Sequence, residues 1–347
     1  MQNLRTSDFF YDLPEKLIAH KPSPIRSDSK LLVLEKNSGN IYHHRFFEVL
    51  EFLNKDDCLV INETRVLPVS LKGRKAESGG KIDVLILNKV SDGCWNALIR
   101  PARRVRIGTV LEFGEDFRCT VMEDFGEGIK ILEFNDPASF YDKISAYGMT
   151  PIPPYIDRGK SLDELELRSR YQTVFAKNPG SSAAPTAGLH FTKNLLNVIS
   201  ERGIEIVRIT LHIGIDTFRP VIEELVESHR MHCEYYEISS ESADSINRIK
   251  SSGGRIISVG TTTTRALETS VRDGFVMASS GWTDLFIKPG YKFKIIDGLI
   301  TNFHLPRSTL LMLVCAFAGK DLVLEAYKEA IEKEYRFYSF GDAMFIS

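Results

Sequence analysis

Cysteine is scarce in this 347-residue chain: Cys58, Cys94, Cys119, Cys233 and Cys315 are odd in number, widely scattered and free of any C-x-x-C pair. That pattern argues against a disulfide framework, a zinc site or an iron–sulfur cluster, and makes a reducing compartment the simpler expectation. Long apolar runs are missing too. The most apolar stretch, residues 310–318, is about half the length a membrane helix needs. MQNLRTSDFF has no basic region leading into an apolar core, so no signal peptide and a cytoplasmic location are expected. Net charge is only −2, which removes any global attraction to nucleic acid; an RNA partner requires basic residues gathered on one face. Neither a P-loop nor a Rossmann G-x-G-x-x-G pattern occurs, and internal repeats and low-complexity tracts are absent.

What is present is an ordinary globular composition, 43% hydrophobic and 26% charged, in a chain longer than the roughly 100–200 residues of one core, so about two domains are expected. Asp12-Leu13-Pro14-Glu15 reads as a helix start ahead of KLIAH. Residues 30–34 and 41–44 flank Ser38-Gly39-Asn40 as a hairpin, FFEVLEFL reads as an amphipathic helix, and residues 56–61 form a short buried strand ending in Asn62-Glu63-Thr64-Arg65. From Val66 to about Tyr147 the period changes. VLPVSLKG, GGKIDVLIL, CWNALIR, GTVLEF, FRCTVME and IKILEF, punctuated by glycines every 8–12 positions, predict a roughly six-stranded antiparallel barrel.

After the proline-rich MTPIPPY the chain alternates again: helices at 162–168, 193–202, 221–227 and 242–250, with strands IEIVRITLHI and RIISV between them. The expected class is therefore α/β, mixed α+β in detail. A discontinuous main domain (1–63 and 149–347) would carry the barrel (64–148) as an insertion.

Four polar stretches are candidates for chemistry. PGSSAAPTAGLHFT (179–192) combines Ser181, Ser182 and Thr186 with small residues that let backbone N–H groups approach a ligand, just before a helix start; a tight turn capped by Thr192 is the alternative. Gly260 followed by Thr262, Thr263, Thr264 and Arg265 joins strand RIISV to a helix and suits either an anion pocket or a plain β–turn–α connection. His212 alternates with Leu211 and Ile213 at a strand end, where α/β sheets bind ligands. TNFHLPRST places Asn302, His304 and Arg307 ahead of an apolar helix, to meet a ligand or to cap it.

Histidine is the usual acid or base near neutral pH, which makes His190, His212 and His304 the catalytic candidates. Trp282 and the 335–340 aromatics suit stacking on a base or plain core packing. HRMHCE (229–234) has spacing loosely like a metal site, but lacks an evident third ligand. Arg100, Arg103, Arg104 and Arg106, with Arg65 at the barrel entrance, form either a solvated face or an RNA-phosphate patch.

Taken in order, YDLPEKLIAHKP, DCLVINETRVLP, GMTPIPPYIDR, RYQTVFAKNPGSSAAPTAGLHFT, TLHIGIDTFRPV, HRMHCEYYEI, GTTTTRALE, GWTDLFIKPG, TNFHLPRSTLLMLV and YRFYSFGDAMF resemble the S-adenosylmethionine:tRNA ribosyltransferase-isomerases of queuosine biosynthesis. The likeness covers essentially the whole chain. It departs at Glu63, where the family commonly has Asp, and at Asp216, where it has Gly.

The resemblance implies transfer of the ribosyl part of S-adenosylmethionine onto 7-aminomethyl-7-deazaguanine at the tRNA wobble position, giving epoxyqueuosine with release of adenine and methionine. S-adenosylmethionine is then a consumed substrate, no metal or other cofactor is expected, and the protein is expected to be a monomer without a protein partner. In that reading His190 or His212 is the base, the 262–265 segment takes the methionine carboxylate, His304 with Asn302 meets adenine or ribose, and Arg65 with the Arg100–106 cluster holds tRNA phosphate. A methyltransferase acting on RNA and a non-catalytic RNA-binding module are the competing classes; the missing glycine-rich first βα turn speaks against the former.

Overall fold

A computed structural model of the chain describes residues 4–153, 155–156, 162–214 and 221–347; Asp216 lies outside them. Short runs of aliphatic residues supply most of the sheet structure. In chain order the first strands are β1 (Lys30–Leu34), β2 (Ile41–Arg45), β3 (Cys58–Asn62) and β4 (Thr64–Val66). Six more follow: β5 (Ser70–Lys75), β6 (Lys81–Ser91), β7 (Cys94–Arg100), β8 (Val110–Glu112), β9 (Arg118–Asp124) and β10 (Ile129–Phe134). The second half adds β11 (Asn178–Ser181), β12 (Glu205–Leu211), β13 (Glu234–Ile238), β14 (Ile256–Val259), β15 (Val271–Arg272), β16 (Phe275–Val276), β17 (Ser279–Thr283), β18 (Gly298–Asn302) and β19 (Ala343–Ile346).

Nine of these strands form one sheet in the order β17-β13-β12-β3-β14-β18-β19-β1-β2. Its centre, β12-β3-β14-β18, is parallel. The three central strands β3, β14 and β18 are buried throughout, as a sheet covered on both faces requires. On one face Leu59, Ile61, Ile257 and Val259 pack under α3 (Lys193–Glu201) through Leu195 and Ile199. On the other, Cys58, Val60 and Ile256 meet α4 (Ser240–Ser251) and α5 (Thr261–Ser270), while α6 (Thr309–Ala318) and α7 (Lys320–Glu332) cover the β18–β19–β1 end. No helix among the described residues is long and apolar enough to cross a membrane.

The glycine-punctuated segment closes into a six-stranded antiparallel barrel, β10-β7-β6-β5-β8-β9, as its alternation predicts. Strand β7 shows the pattern directly: Trp95, Ala97 and Ile99 point inward, and their neighbours do not. Helix α1 (Phe140–Tyr147) adds Phe140 and Ile144 to the same core, with Phe140 stacked on Trp95. A second helix, α2 (Glu164–Arg170), follows the return to the sheet and is capped by Asp163. Strand β4 pairs in parallel with β11, which ties the barrel entrance to the 179–192 loop.

Three predicted helices are shorter than their sequences suggest. KLIAH forms only a 3-10 turn, Glu15–Leu17, because its backbone bonds across to the chain end: Ala19 N–H reaches Phe337 O and Phe337 N–H reaches Leu17 O. Residues 221–227 yield only Val226–Ser228, since Val226 N–H bonds Leu4 O and Glu224 O accepts from Thr6. FFEVLE is a 3-10 helix, Phe46–Glu51, whose three-residue period sets Phe46 and Val49 on one buried face. Tertiary pairing overrides local helical preference in the first two cases.

Gly148 closes the barrel excursion in a place with no room for a side chain. A Cβ there would lie 1.9 Å from Pro68 O and 2.4 Å from Ile144 O. Gly148→Ala is expected to destabilise the fold by about 1–3 kcal/mol or more, as overpacking does, read as a lowered thermal midpoint; an unchanged midpoint contradicts this account of the junction.

Candidate active site

The carboxyl ends of the parallel strands are where a sheet of this kind presents ligand groups, and here they end in Asn62, Leu211, Val259 and Asn302. Asn62 is fully buried. Its Oδ1 accepts from Leu211 N–H (3.0 Å) and Thr64 N–H (3.1 Å), and its Nδ2 donates to Leu211 O (2.9 Å). This bonding locks the end of β3 to the end of β12 and fixes the next residue of β12's run, His212. Thr64 Oγ1 then bonds both His212 Nδ1 and Ser181 Oγ at 2.8 Å, and Ser181 Oγ accepts from Ile213 N–H. Ser181 is thus an organiser of the loop, with its hydroxyl fully engaged.

His212 faces a cavity of about 300 Å³ between the sheet and the barrel. From the sheet side come Ser182, His232, Tyr235 and Trp282; the barrel side contributes Lys89 and Trp95. The His212 and Tyr235 rings lie nearly parallel, 6.0 Å apart and 20° from coplanar, and Trp282 meets Tyr235 edge-on at 5.8 Å. Trp282 is 57% exposed, an aromatic surface free to stack on a planar ligand. Gly180 is required beside this ring, since a Cβ would stand 2.6 Å from His212 Nε2. Burial lowers the His212 pKa, which keeps the imidazole in its neutral form, with a ring nitrogen open to accept a proton.

Of the three candidate histidines, His212 lines this cavity and His190 and His304 do not. His190 is buried at the end of a short 3-10 turn, Thr186–His190, with Thr186 half-buried at its start. Its Nδ1 bonds Ser29 Oγ (2.7 Å), its Nε2 meets Asn302 Nδ2 (3.3 Å), and its ring stacks on Phe46. Beside it is a space of about 20 Å³, lined in part by Arg26, Ser29 and Arg170, enough for about one water. Arg26 and Arg170 were not singled out in the sequence, and only their clustering in space reveals them.

His304 is enclosed in the core: Nε2 bonds Thr301 Oγ1 at 2.8 Å, and its backbone is held by Tyr327 and Tyr11. Asn302 donates to Tyr338 O as well as to His190, and its Oδ1 is buried without a partner. Arg307 is exposed, 4.8 Å from the Phe10 ring, so it is placed on the surface and not among the buried polar groups.

The 260–265 segment is likewise already bonded in part. Thr263 Oγ1 donates to Val259 O, and Thr264 Oγ1 to Ser258 Oγ. Arg265 is 4% exposed and pairs with the buried Glu234 while donating to Leu285 O and Thr283 O. Its charge is therefore already paired inside the protein, with no guanidinium left open at the amino end of α5 for an incoming carboxylate. Thr262 Oγ1, buried without a partner at the amino end of α5, is the open donor of the group.

A family model for the queuosine biosynthesis protein matches residues 6–346. The chain belongs to the queuosine biosynthesis family. The crystal structure of an S-adenosylmethionine tRNA ribosyltransferase from Thermotoga maritima is similar to it, with 37% identity over 98% of this chain and 100% of that one and a TM-score of 0.57. In this family member the basic candidates sit on the barrel and at its entrance. Arg100, Arg103, Arg104 and Arg106 are exposed and form no ion pair among the described residues. Arg100 borders an open cleft of about 1190 Å³ with Lys72 and Lys81, whereas Arg74 and Arg118 in the same cleft pair with Glu112. Arg65 is exposed at the entrance and donates to Ala176 O.

Burial, with Arg336 and Arg26 adding repulsion, pushes the His190 pKa from 6.5 down to about 3, and burial does the same for His304. A histidine held neutral in the fold supports stability fully above its unfolded pKa near 6.5, and that support is lost as pH falls towards 3, by about 1.4 kcal/mol per pH unit for each ring. Urea midpoints measured between pH 7.5 and 4.5 should therefore fall with acid, and His304→Gln should flatten the slope. An unchanged slope in the variant removes His304 from that account.

Proposed function

We propose that the protein transfers and isomerises the ribosyl moiety of S-adenosylmethionine onto 7-aminomethyl-7-deazaguanine at the tRNA wobble position, forming epoxyqueuosine and releasing adenine and methionine. The observation that carries this reading is the cavity between barrel and sheet, where a neutral histidine, His212, stands beside an exposed aromatic surface in a chain of this family. The cavity would take S-adenosylmethionine, with its purine on Tyr235 and Trp282. His212 is the base that removes a proton next to the sulfonium. Its Nδ1 is fixed by Thr64, and general-base catalysis needs such fixed reach.

Thr262 and Asn302, expected to meet the methionine carboxylate and the adenine or ribose, do not line this cavity and keep their open oxygens buried, so they are given no contact in this scheme. His190, bonded to Asn302, likewise takes no proton in it. The exposed arginines of the barrel and Arg65 hold tRNA phosphate, a role that suits clustered unpaired guanidinium groups. No metal or redox cofactor enters this reading, and S-adenosylmethionine is consumed.

Incubation with S-adenosylmethionine and tRNA bearing 7-aminomethyl-7-deazaguanine, followed by mass spectrometry, should yield adenine, methionine and an epoxy-cyclopentane nucleoside, and none with unmodified tRNA. S-adenosylhomocysteine with methylated RNA would make the protein a methyltransferase instead. His212→Ala should lower turnover by about 100-fold or more on folded protein, while near-normal turnover excludes it as the base. Replacing Arg103, Arg104 and Arg106 by Ala should weaken tRNA binding and reduce the salt slope by about 0.7–0.9 per lost phosphate contact; an unchanged slope moves the RNA site elsewhere.

A further inference from the structure

One histidine of the cavity has no part in the scheme above. His232 lies just before β13 and lines the same cavity as His212. Its Nε2 is buried and lacks a hydrogen-bond partner, yet stands 3.5 Å from Glu234 Oε1. Glu234 is itself 1% exposed, accepts from Gly214 N–H at 3.0 Å through Oε1, and pairs with Arg265 through Oε2. Burial raises its pKa, but Arg265, His232 and the Gly214 N–H outweigh burial and keep it a carboxylate. The result is a buried chain, Arg265–Glu234–His232, that ends at the cavity wall. A carboxylate behind an imidazole orients the ring and fixes which nitrogen carries the proton. The orphaned Nε2 is where such a proton would gain a bond on a small movement of the ring, since buried donors are seldom left unpaired.

We propose that His232 is the catalytic acid that protonates the departing adenine, with Glu234 and Arg265 as positioning residues behind it. The inference rests on the reading of this cavity as the S-adenosylmethionine site. As the bond between the ribosyl C1′ and adenine N9 breaks, its electron pair stays on the purine, and a lone pair of the ribosyl ring oxygen shares the positive charge left at C1′ until a nucleophile adds there. One N–H proton of the His232 imidazolium passes to a purine ring nitrogen, so adenine leaves neutral and the imidazole remains neutral until water returns a proton. Without the acid, adenine would have to leave as an anion. The two histidines of the cavity then have opposite duties: His212, bonded through Nδ1 to a neutral hydroxyl, removes a proton, and His232, backed by a carboxylate, supplies one.

The test compares S-adenosylmethionine with its 8-azaadenine analogue, whose leaving base is the more stable anion, in single-turnover reactions on tRNA bearing 7-aminomethyl-7-deazaguanine. With the natural substrate, His232→Gln is expected to lower the rate of adenine release about 100-fold, within the range general acids contribute, and with the analogue about 10-fold or less. A purely structural role would lower both rates equally. Equal losses, or a loss under threefold on the natural substrate, overturn the proposal while leaving the function intact. Failure of the unaltered protein to release adenine from either substrate overturns both. Should His232→Gln not fold, His232→Asn is read by the same two ratios.

Discussion

A single buried amide, Asn62, holds the site together. It stands where β3 ends, and its side chain replaces backbone partners for both Leu211 groups and for Thr64 N–H. A buried amide with three satisfied bonds rigidifies its surroundings, whereas one left half-bonded would destabilise them. The position of His212 and of the loop around Ser181 is referred to that point. Thr64 bonds His212, Ser181 bonds Thr64 and the Ile213 backbone, and Leu67 N–H bonds Ser181 O as the chain turns towards the barrel.

The second constraint is electrostatic. Arg265 and Glu234 form an ion pair in which both side chains are almost wholly removed from water. Such a pair is weak evidence for added stability, because desolvation offsets attraction, but loss of one partner strands the other charge at a cost of about 3–5 kcal/mol. The pair joins α5 to β13, and so connects the strand–helix turn at Gly260 to the wall of the cavity.

Much of the architecture was legible in the residues. Period-two alternation between glycines marks the barrel strands, and the mostly apolar runs CLVIN and IISV mark central strands of a covered sheet. Thr192 caps α3 through Leu195 N–H as its position suggests. The failures were of two physical kinds. KLIAH and the 221–227 segment have helical composition, but their backbone groups found partners more than two hundred residues away, which no local pattern reports. The candidate site was half legible for a related reason. His190, His212 and His304 each stand beside motif residues, yet proximity in sequence says nothing about which cavity a ring faces. The apposition of barrel residues with Tyr235 and Trp282 exists only after the two bodies meet. The ion pair of Arg265 was not legible, because its acid partner lies thirty-one residues earlier, on β13.

Because its walls belong to two bodies, the barrel–sheet cavity is also a measure of the distance between them. A shift of the barrel by a fraction of an ångström alters the volume in which His212 and Trp282 meet a guest. The open cleft bordered by Arg100 is carried on that same barrel. An occupant of one place that moved the barrel would change the affinity of the other, and that other must return the change by the same factor.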